Sequence, residues 1–266
     1  PTRRSSDLER MEKLIDQLAA VKANLADTTV FNKAAVYNYA YTLTGATRAI
    51  KPGLAGKFLF VSAALGVPNA PLRNGILADL KKAVGSNGLI ASSNGNTFDY
   101  AWTILGLATN QQSKLANVVA QKLVALQRQD GGFGTDQSGD VNSSSADATG
   151  IAIQSLVYAK RSASSAQGTV EQKSLVSASA YLRTSQVGGD HWESFGDVDV
   201  NGTAYAAMGL KAAGANIASV QAWLKARVAA GGGLTTPWSN GVGDVFATAQ
   251  GVTPLLGLSY LNLVTK

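Results

Sequence analysis

Glycine-rich corners recur along the chain, and each stands between two segments whose apolar residues follow the period of a helix. Gly88, Gly132, Gly189 and Gly233 mark four of them. Glycine readily adopts the positive φ that ends a helix, so each corner predicts the end of one helix and the start of another. A helix pair cannot bury its apolar stripe alone, and successive pairs therefore pack side by side. The corners restrict the chain to an array of helical hairpins, either an open solenoid or a closed ring.

The segments that follow the corners share a small residue followed by an apolar one. These pairs are Gly106-Leu107, Ser155-Leu156, Gly209-Leu210 and Gly251-Val252. Their apolar members lie 49, 54 and 42 residues apart, which fits two helices and two loops in each repeat. We expect the small residue to let the next helix approach closely. Short alternating strands are not apparent, so the predicted fold class is all-α.

The first eight residues resemble the translation of one reading frame of a common sequencing adapter. We interpret residues 1–8 as an assembly artefact and residues 9–266 as a single domain. An amphipathic helix is predicted from Glu9 to Ala26, because its apolar residues recur every three or four positions. On this interpretation the natural N-terminus, with any signal peptide or first hairpin, is missing from the sequence.

The composition excludes several kinds of site. The chain has no cysteine and one histidine, His191, which excludes disulfides, thiolate metal sites and multi-histidine zinc sites. Its net charge of +6 is scattered, without the clustered basic residues and interleaved aromatics of a nucleic-acid groove. No apolar run is long enough to span a membrane. We expect no cofactor, no nucleic-acid partner and no transmembrane segment.

The stretch from Gln127 to Gly134 resembles the repeat motif of terpene cyclases and protein prenyltransferases, in which a helix-ending Gln precedes Asp-Gly-Gly and an aromatic residue. Gln186 followed by Trp192 resembles a looser copy. The stretch from Asp244 to Gln250 resembles the closing helix of bacterial, often secreted, prenyltransferase/squalene-cyclase-repeat and transcobalamin-like proteins. The resemblance covers about residues 33–260.

This resemblance implies a closed α/α toroid, in which an inner ring of helices is wrapped by an outer ring around a cavity open at one end. It implies five to six hairpins, either complete or short of one N-terminal hairpin. The inner helices would start near Asp99, Ala148, Gly202 and Asp244, and the outer helices would end near Val84, Gln127, Gln186 and Val228. The low content of charged residues, 15%, together with the bacterial relatives, predicts a protein secreted by a bacterium or held at its surface.

Two activities of the resembled superfamily can be compared with the residues present. A protein prenyltransferase holds zinc with Asp, Cys and His, so a chain without cysteine is not expected to have that activity. A class II terpene or squalene cyclase protonates its substrate with the middle Asp of Asp-x-Asp-Asp. Here Asp197-Val198-Asp199-Val200 matches three of the four positions, and Asp199 would be the general acid. A divergent cyclase is therefore the alternative function.

The same segment resembles half of a calcium loop. Asp197, Asp199 and Asn201 supply oxygen atoms at alternate positions and Gly202 follows them, but Met208 stands where a bidentate carboxylate is expected. We expect no metal, with calcium at these three residues as the alternative.

Helix capping is the plainer interpretation of the acidic residues. Asn201 and Asp147 stand just ahead of predicted helices, and Asp99 and Asp244 have the same placement, where side-chain oxygens accept hydrogen bonds from free backbone N–H groups. In a toroid these helix starts meet at the cavity mouth, so a cap can also face a ligand.

The aromatic residues of the corners have two interpretations. Trp192, Phe195 and Trp238 either pack beneath their turns or line the cavity mouth, and Trp102 and Tyr205 face either the cavity or another helix. The predicted function is non-catalytic binding of a small molecule, lipid or surface partner at the open end of the ring. The candidate ligand-binding residues are Asp147, Trp192, Phe195, Asp197, Asp199, Trp238 and Asp244.

Overall fold

The computed structural model describes residues 52–66, 71–90, 96–135 and 144–264. Residues 1–8 and the helix predicted from Glu9 to Ala26 lie outside this part. Ten helices account for most of the described residues, which confirms the all-α class. They are α1 (Pro52–Ala64), α2 (Pro71–Ala83), α3 (Thr97–Thr109), α4 (Ser113–Ala125), α5 (Ala146–Lys160), α6 (Ser165–Thr184), α7 (Val200–Ala212), α8 (Ala218–Lys225), α9 (Val245–Leu255) and α10 (Tyr260–Val264).

Two short antiparallel strand pairs lie in the corners and were not predicted. The strands are β1 (Phe133–Gly134) with β2 (Ser144–Ser145), and β3 (Glu193–Ser194) with β4 (Asp197–Val198). Two residues per strand give no room for the alternating apolar pattern by which a strand is recognised in a sequence.

The first nine helices alternate between two layers. The odd layer consists of α1, α3, α5, α7 and α9, and each of these packs against the next along the chain. The even layer consists of α2, α4, α6 and α8, and each of these packs against the odd-layer helix that precedes it. Each corner therefore carries the chain from the even layer back to the odd layer.

Four corners share one backbone hydrogen bond between residues four positions apart. The N–H groups of Gly85, Arg128, Val187 and Ala229 donate to the carbonyls of Leu89, Gly132, His191 and Gly233, over 2.8, 3.0, 2.8 and 2.8 Å. A glycine with positive φ lies inside each of these turns, as the sequence predicts. In the second corner it is Gly131 and not Gly132.

A hydroxyl group of the next odd-layer helix holds the residue that follows each of these turns. The N–H groups of Phe133, Trp192 and Leu234 donate to the side-chain oxygens of Thr149, Thr203 and Thr248, over 2.9, 3.0 and 2.8 Å. In the first corner the phenol of Tyr100 is hydrogen-bonded to the backbone of Ile90 instead. We call these contacts the corner clamps. Each one fixes the entry of the chain into the odd layer.

Tyr260, the first residue of α10, touches four helices of the odd layer. Its ring lies 5.9 Å from that of Phe60 in α1, 5.4 Å from that of Trp102 in α3 and 6.1 Å from that of Tyr205 in α7. Its backbone N–H donates to Oε1 of Gln154 in α5 over 2.9 Å. One residue thus contacts four successive helices of the odd layer.

Candidate functional site

A cavity of about 430 Å³, which we call the inner cavity, opens where the odd-layer helices begin. All five of these helices contribute to its wall. The wall includes Lys57 of α1, Asp99 and Trp102 of α3, Asp147 of α5, Tyr205 of α7 and Gln250 of α9. Since helix N-termini carry partial positive charge, the two carboxylates stand where they are electrostatically favoured.

Direct contacts fix the wall of the inner cavity. The amide Nδ2 of Asn201 donates to Oε1 of Gln250 over 2.7 Å and joins α7 to α9. The rings of Phe98 and Tyr205 meet edge to face at 5.6 Å and join α3 to α7. The ammonium of Lys57, only 2% exposed, lies 5.2 Å from the ring centre of Trp102. The cavity therefore combines aromatic surface with a small number of oriented polar groups.

Gly53 makes space in the wall for one of these polar groups. A side chain at this position would overlap the carboxylate and the backbone of Asp99. The Asp99 carboxylate can lie directly against α1 because Gly53 has no Cβ atom. A glycine in the first turn of α1 is thus part of the construction of the site.

A second depression of about 730 Å³, which we call the outer groove, adjoins the inner cavity. It lies between the β3–β4 pair and the loop over residues 235–244. Its lining includes Phe195, Asp197, Asp199, Trp238 and Asp244. Asn201 and Phe246 line both spaces, so the two are neighbours.

Asp199, the candidate general acid, is the N-cap residue of α7. Its Oδ1 accepts a hydrogen bond from the N–H of Gly202 over 2.7 Å. Burial raises the pKa of Asp199, the Gly202 hydrogen bond opposes this, and the negative charge of Asp147 raises it further. The carboxyl group lines the outer groove and does not line the inner cavity.

The capping predictions are right for one residue of four. Asp244 caps α9, with its Oδ1 accepting from the N–H of Ala247 over 2.7 Å. Asn201, Asp147 and Asp99 are not caps, because their helices begin two or three residues earlier than the sequence pattern indicates. They lie in the first turn instead. The N-caps of α3, α5 and α7 are Asn96, Ser145 and Asp199.

The three corner aromatics separate into the two roles foreseen for them. Trp192 is 1% exposed, and its indole N–H donates to the carbonyl of Leu182 over 2.9 Å. It packs beneath its turn and lines neither space. Phe195 is fully exposed and Trp238 is 77% exposed, so neither of these two packs beneath its turn. Both stand in loop tips that project from the helical layers, and both line the outer groove.

The three residues of the calcium alternative, Asp197, Asp199 and Asn201, all line the outer groove. Asp199 is engaged as a cap, and the amide of Asn201 is bonded to Gln250. Across the described residues, no group of three or more His, Asp or Glu side chains is arranged to hold a metal ion.

The sequence interpretation missed Lys57, Phe98, Phe246 and Gln250 as lining residues, and left Trp102 and Tyr205 undecided. A signal for them exists. Eight of the residues that line the inner cavity form four pairs at positions i and i+4, each pair on one face of one helix: Gly53 and Lys57, Phe98 and Trp102, Asn201 and Tyr205, and Phe246 and Gln250. Positions four apart share a face, so aligning the helix starts would have shown these pairs.

None of the described helices has the length and the apolar character that a membrane crossing requires. No protein-family model matches the sequence, and no curated protein matches it at a significant level.

Proposed function

We propose that the chain forms an α/α toroid of the prenyltransferase/squalene-cyclase-repeat type, with the odd layer as its inner ring. Three observations support this arrangement: the alternating layers, the same backbone turn in four corners, and the contact of Tyr260 with α1, α3, α5 and α7. The described residues supply four hairpins, from α1/α2 to α7/α8, followed by α9. The proposed ring has five to six hairpins, either complete or short of one N-terminal hairpin.

We further propose that the inner cavity binds a small molecule and that the protein is not an enzyme. The observation that carries this is the convergence of five helix starts on one space of about 430 Å³. Small-molecule sites have this size, with aromatic walls and a few convergent polar groups. Asp99, Asp147 and Lys57 supply charge, and Asn201 and Gln250 supply amides. A ligand with an apolar ring or chain and several polar substituents fits this lining better than a purely hydrocarbon lipid.

A thermal-shift screen of soluble metabolites, sugars and short-chain lipids tests this proposal. The protein is compared with Lys57→Met and Asp99→Asn, which change the polarity of the wall at nearly constant volume. Val176→Ala on α6 is the control, because Val176 is an exposed side chain of the even layer. We expect compounds that raise the Tm of the natural protein and the control, and that act less on the two cavity variants. A screen without such compounds, or with equal shifts in all four proteins, contradicts the proposal.

The alternative, a divergent class II cyclase, is favoured by one observation. The raised pKa of Asp199 keeps its proton to a higher pH than an ordinary Asp, and a general acid needs this. Against it, Asp199 faces the open outer groove, where water would quench a carbocation. Cyclised product from squalene or a polyprenyl diphosphate, lost in Asp199→Asn, would establish the cyclase and overturn the binding proposal.

We also propose that the protein is secreted by a bacterium or held at its surface, on the composition described above. Detection of the protein in culture medium or in a surface fraction tests this. Its confinement to the cytosolic fraction contradicts it.

A further inference from the structure

We propose that the outer groove binds a small organic cation that carries a quaternary or alkylated ammonium group. Phe195 and Trp238 supply aromatic surface, and Asp197, Asp199 and Asp244 supply negative charge. This inference does not rest on the proposed function, because it concerns a different space with its own lining residues.

The aromatic residues of the groove are placed where they do not stabilise the fold. Phe195 is fully exposed and Trp238 is 77% exposed, and they stand on the two loops that face the groove. Exposed aromatic surface gains nothing from the hydrophobic effect in the free protein. Such surface is typical of a contact site.

The backbone conformation of Phe195 also disfavours a bulky side chain at this position. Phe195 and Gly196 form the two-residue turn between β3 and β4, with φ of +54° and +84°. Turns with two positive φ values favour Asn, Asp or Gly at the first position, and a bulky side chain there costs about 1 kcal/mol. Folding therefore gives no reason for a phenylalanine at this position, whereas a ligand that contacts the ring does.

The charge of the groove selects a cation. The chain carries a net charge of +6, yet the only charged side chains among the described residues that line the groove are three aspartates. The N-termini of α7 and α9, capped by Asp199 and Asp244, offset about half a charge each. The electrostatic potential beside the aromatic rings therefore stays negative. Aromatic rings together with a negative potential attract an alkylated ammonium group.

Two other kinds of ligand, a metal ion and a neutral sugar, fit the lining of the outer groove less well. A bare metal ion needs convergent ligands, and no three or more His, Asp or Glu side chains of the described residues are arranged to hold one. A neutral sugar stacks on aromatic faces and can donate hydroxyl hydrogen bonds to carboxylates, but it has no charge to be attracted by three aspartates. The volume of about 730 Å³ suits a small molecule.

Calorimetric titration with choline tests the proposal, with 3,3-dimethylbutan-1-ol as a neutral compound of the same shape. We expect choline to bind, the alcohol to bind at least about tenfold more weakly, and the choline affinity to fall as salt is added. Trp238→Ala and Asp197→Asn should each weaken choline binding about fivefold or more. Trp238→Phe should retain most of it. Trp238 and Asp197 are exposed, so these variants are expected to fold.

Phe195→Asn separates a binding role from a structural one. This variant relieves the turn, and its Tm should rise while its affinity for choline falls. Val176→Ala on α6 and Asp79→Asn on α2 change exposed side chains outside the groove and are the controls, and neither should change choline binding. Asp99→Asn tests whether choline binds in the inner cavity instead. The proposal is overturned if choline does not bind, if the neutral alcohol binds equally well, or if Asp99→Asn abolishes binding while Trp238→Ala does not.

Discussion

A Cβ atom added to Gly106 in α3 would lie 2.5 Å from the Cα atom of Gly56 in α1. The two backbones are in direct contact, with no side chain between them. Gly209 in α7 and Gly150 in α5 have the same relationship, at 2.7 Å. Real Cβ atoms do not approach backbone atoms so closely, so both pairs of odd-layer helices depend on glycine at the crossing point.

Gly106→Ala is therefore expected to destabilise the protein by about 3 kcal/mol or more, because the added methyl group meets backbone that cannot rotate away. Gly75→Ala is the matched control, since Gly75 lies within α2 and a Cβ atom there meets nothing within 4 Å. The free energy of unfolding of Gly75→Ala should be about 0.5–1 kcal/mol higher than that of the natural protein. Urea unfolding of both variants measures the difference. Equal midpoints for the two would contradict the close contact.

The corner clamps give a second prediction. Thr203→Val removes the hydroxyl that accepts the N–H of Trp192 and leaves that buried donor without a partner. We expect a loss of about 1–3 kcal/mol in the free energy of unfolding. Thr103→Val is the control, because Thr103 is equally buried in α3 and its hydroxyl has no hydrogen-bond partner in the structure. That change should be close to neutral, and a similar loss in both variants would show that the clamp contributes nothing.

The corners were predictable because both of their signals are visible in the sequence: the glycines themselves, and the helical period of the apolar residues on either side. The clamps were not, since a single hydroxyl hydrogen bond has no hydropathy signature and Tyr100 replaces threonine in the first corner. The helix starts were misplaced by two or three residues for a related reason. Asp and Asn are favoured both at the N-cap and in the first turn, so the residue type alone does not separate Asp147 from Asp199.

The candidate site was predicted in part. The outer groove holds five of the seven proposed ligand-binding residues, because loops that lead into helix starts are recognisable by composition. The position of Tyr260 against the odd-layer helices could not be predicted from the sequence. Its backbone N–H is bonded to Gln154, which lies 106 positions earlier in the chain, and a contact between residues so far apart in sequence has no local sequence pattern.

Asp199 yields a prediction that separates capping from acid chemistry. Asp199→Ala removes the acceptor for the N–H of Gly202 and should cost about 1 kcal/mol. Asp199→Asn retains an N-cap oxygen and removes a charge whose burial raises the pKa. The Asn variant should therefore equal or exceed the natural protein in stability at neutral pH. Thermal unfolding of the three proteins measures this. An Asn variant as unstable as the Ala variant would show that the carboxylate charge itself is needed.

Glu171 in α6 should make stability depend on pH. Its side chain is fully buried, its Oε2 has no hydrogen-bond partner, and burial raises its pKa to about 7 from 4.5, although the positive charge of Lys160 opposes the shift. Between these two pH values the folded state keeps a proton that the unfolded state has lost. The free energy of unfolding therefore falls as the pH rises, by about 3 kcal/mol in all, and levels off above the folded pKa.

Glu171→Gln removes this titration. The free energy of unfolding of this variant should equal that of the natural protein near pH 4.5. Near pH 8 it should be higher by up to about 3 kcal/mol, because the buried amide never ionises. Asp79→Asn changes the net charge by the same amount at an exposed position of α2 and is the control. Urea unfolding across this range measures both differences. A difference for Glu171→Gln that is the same at both ends of the range would mean that Glu171 is already ionised in the folded protein throughout.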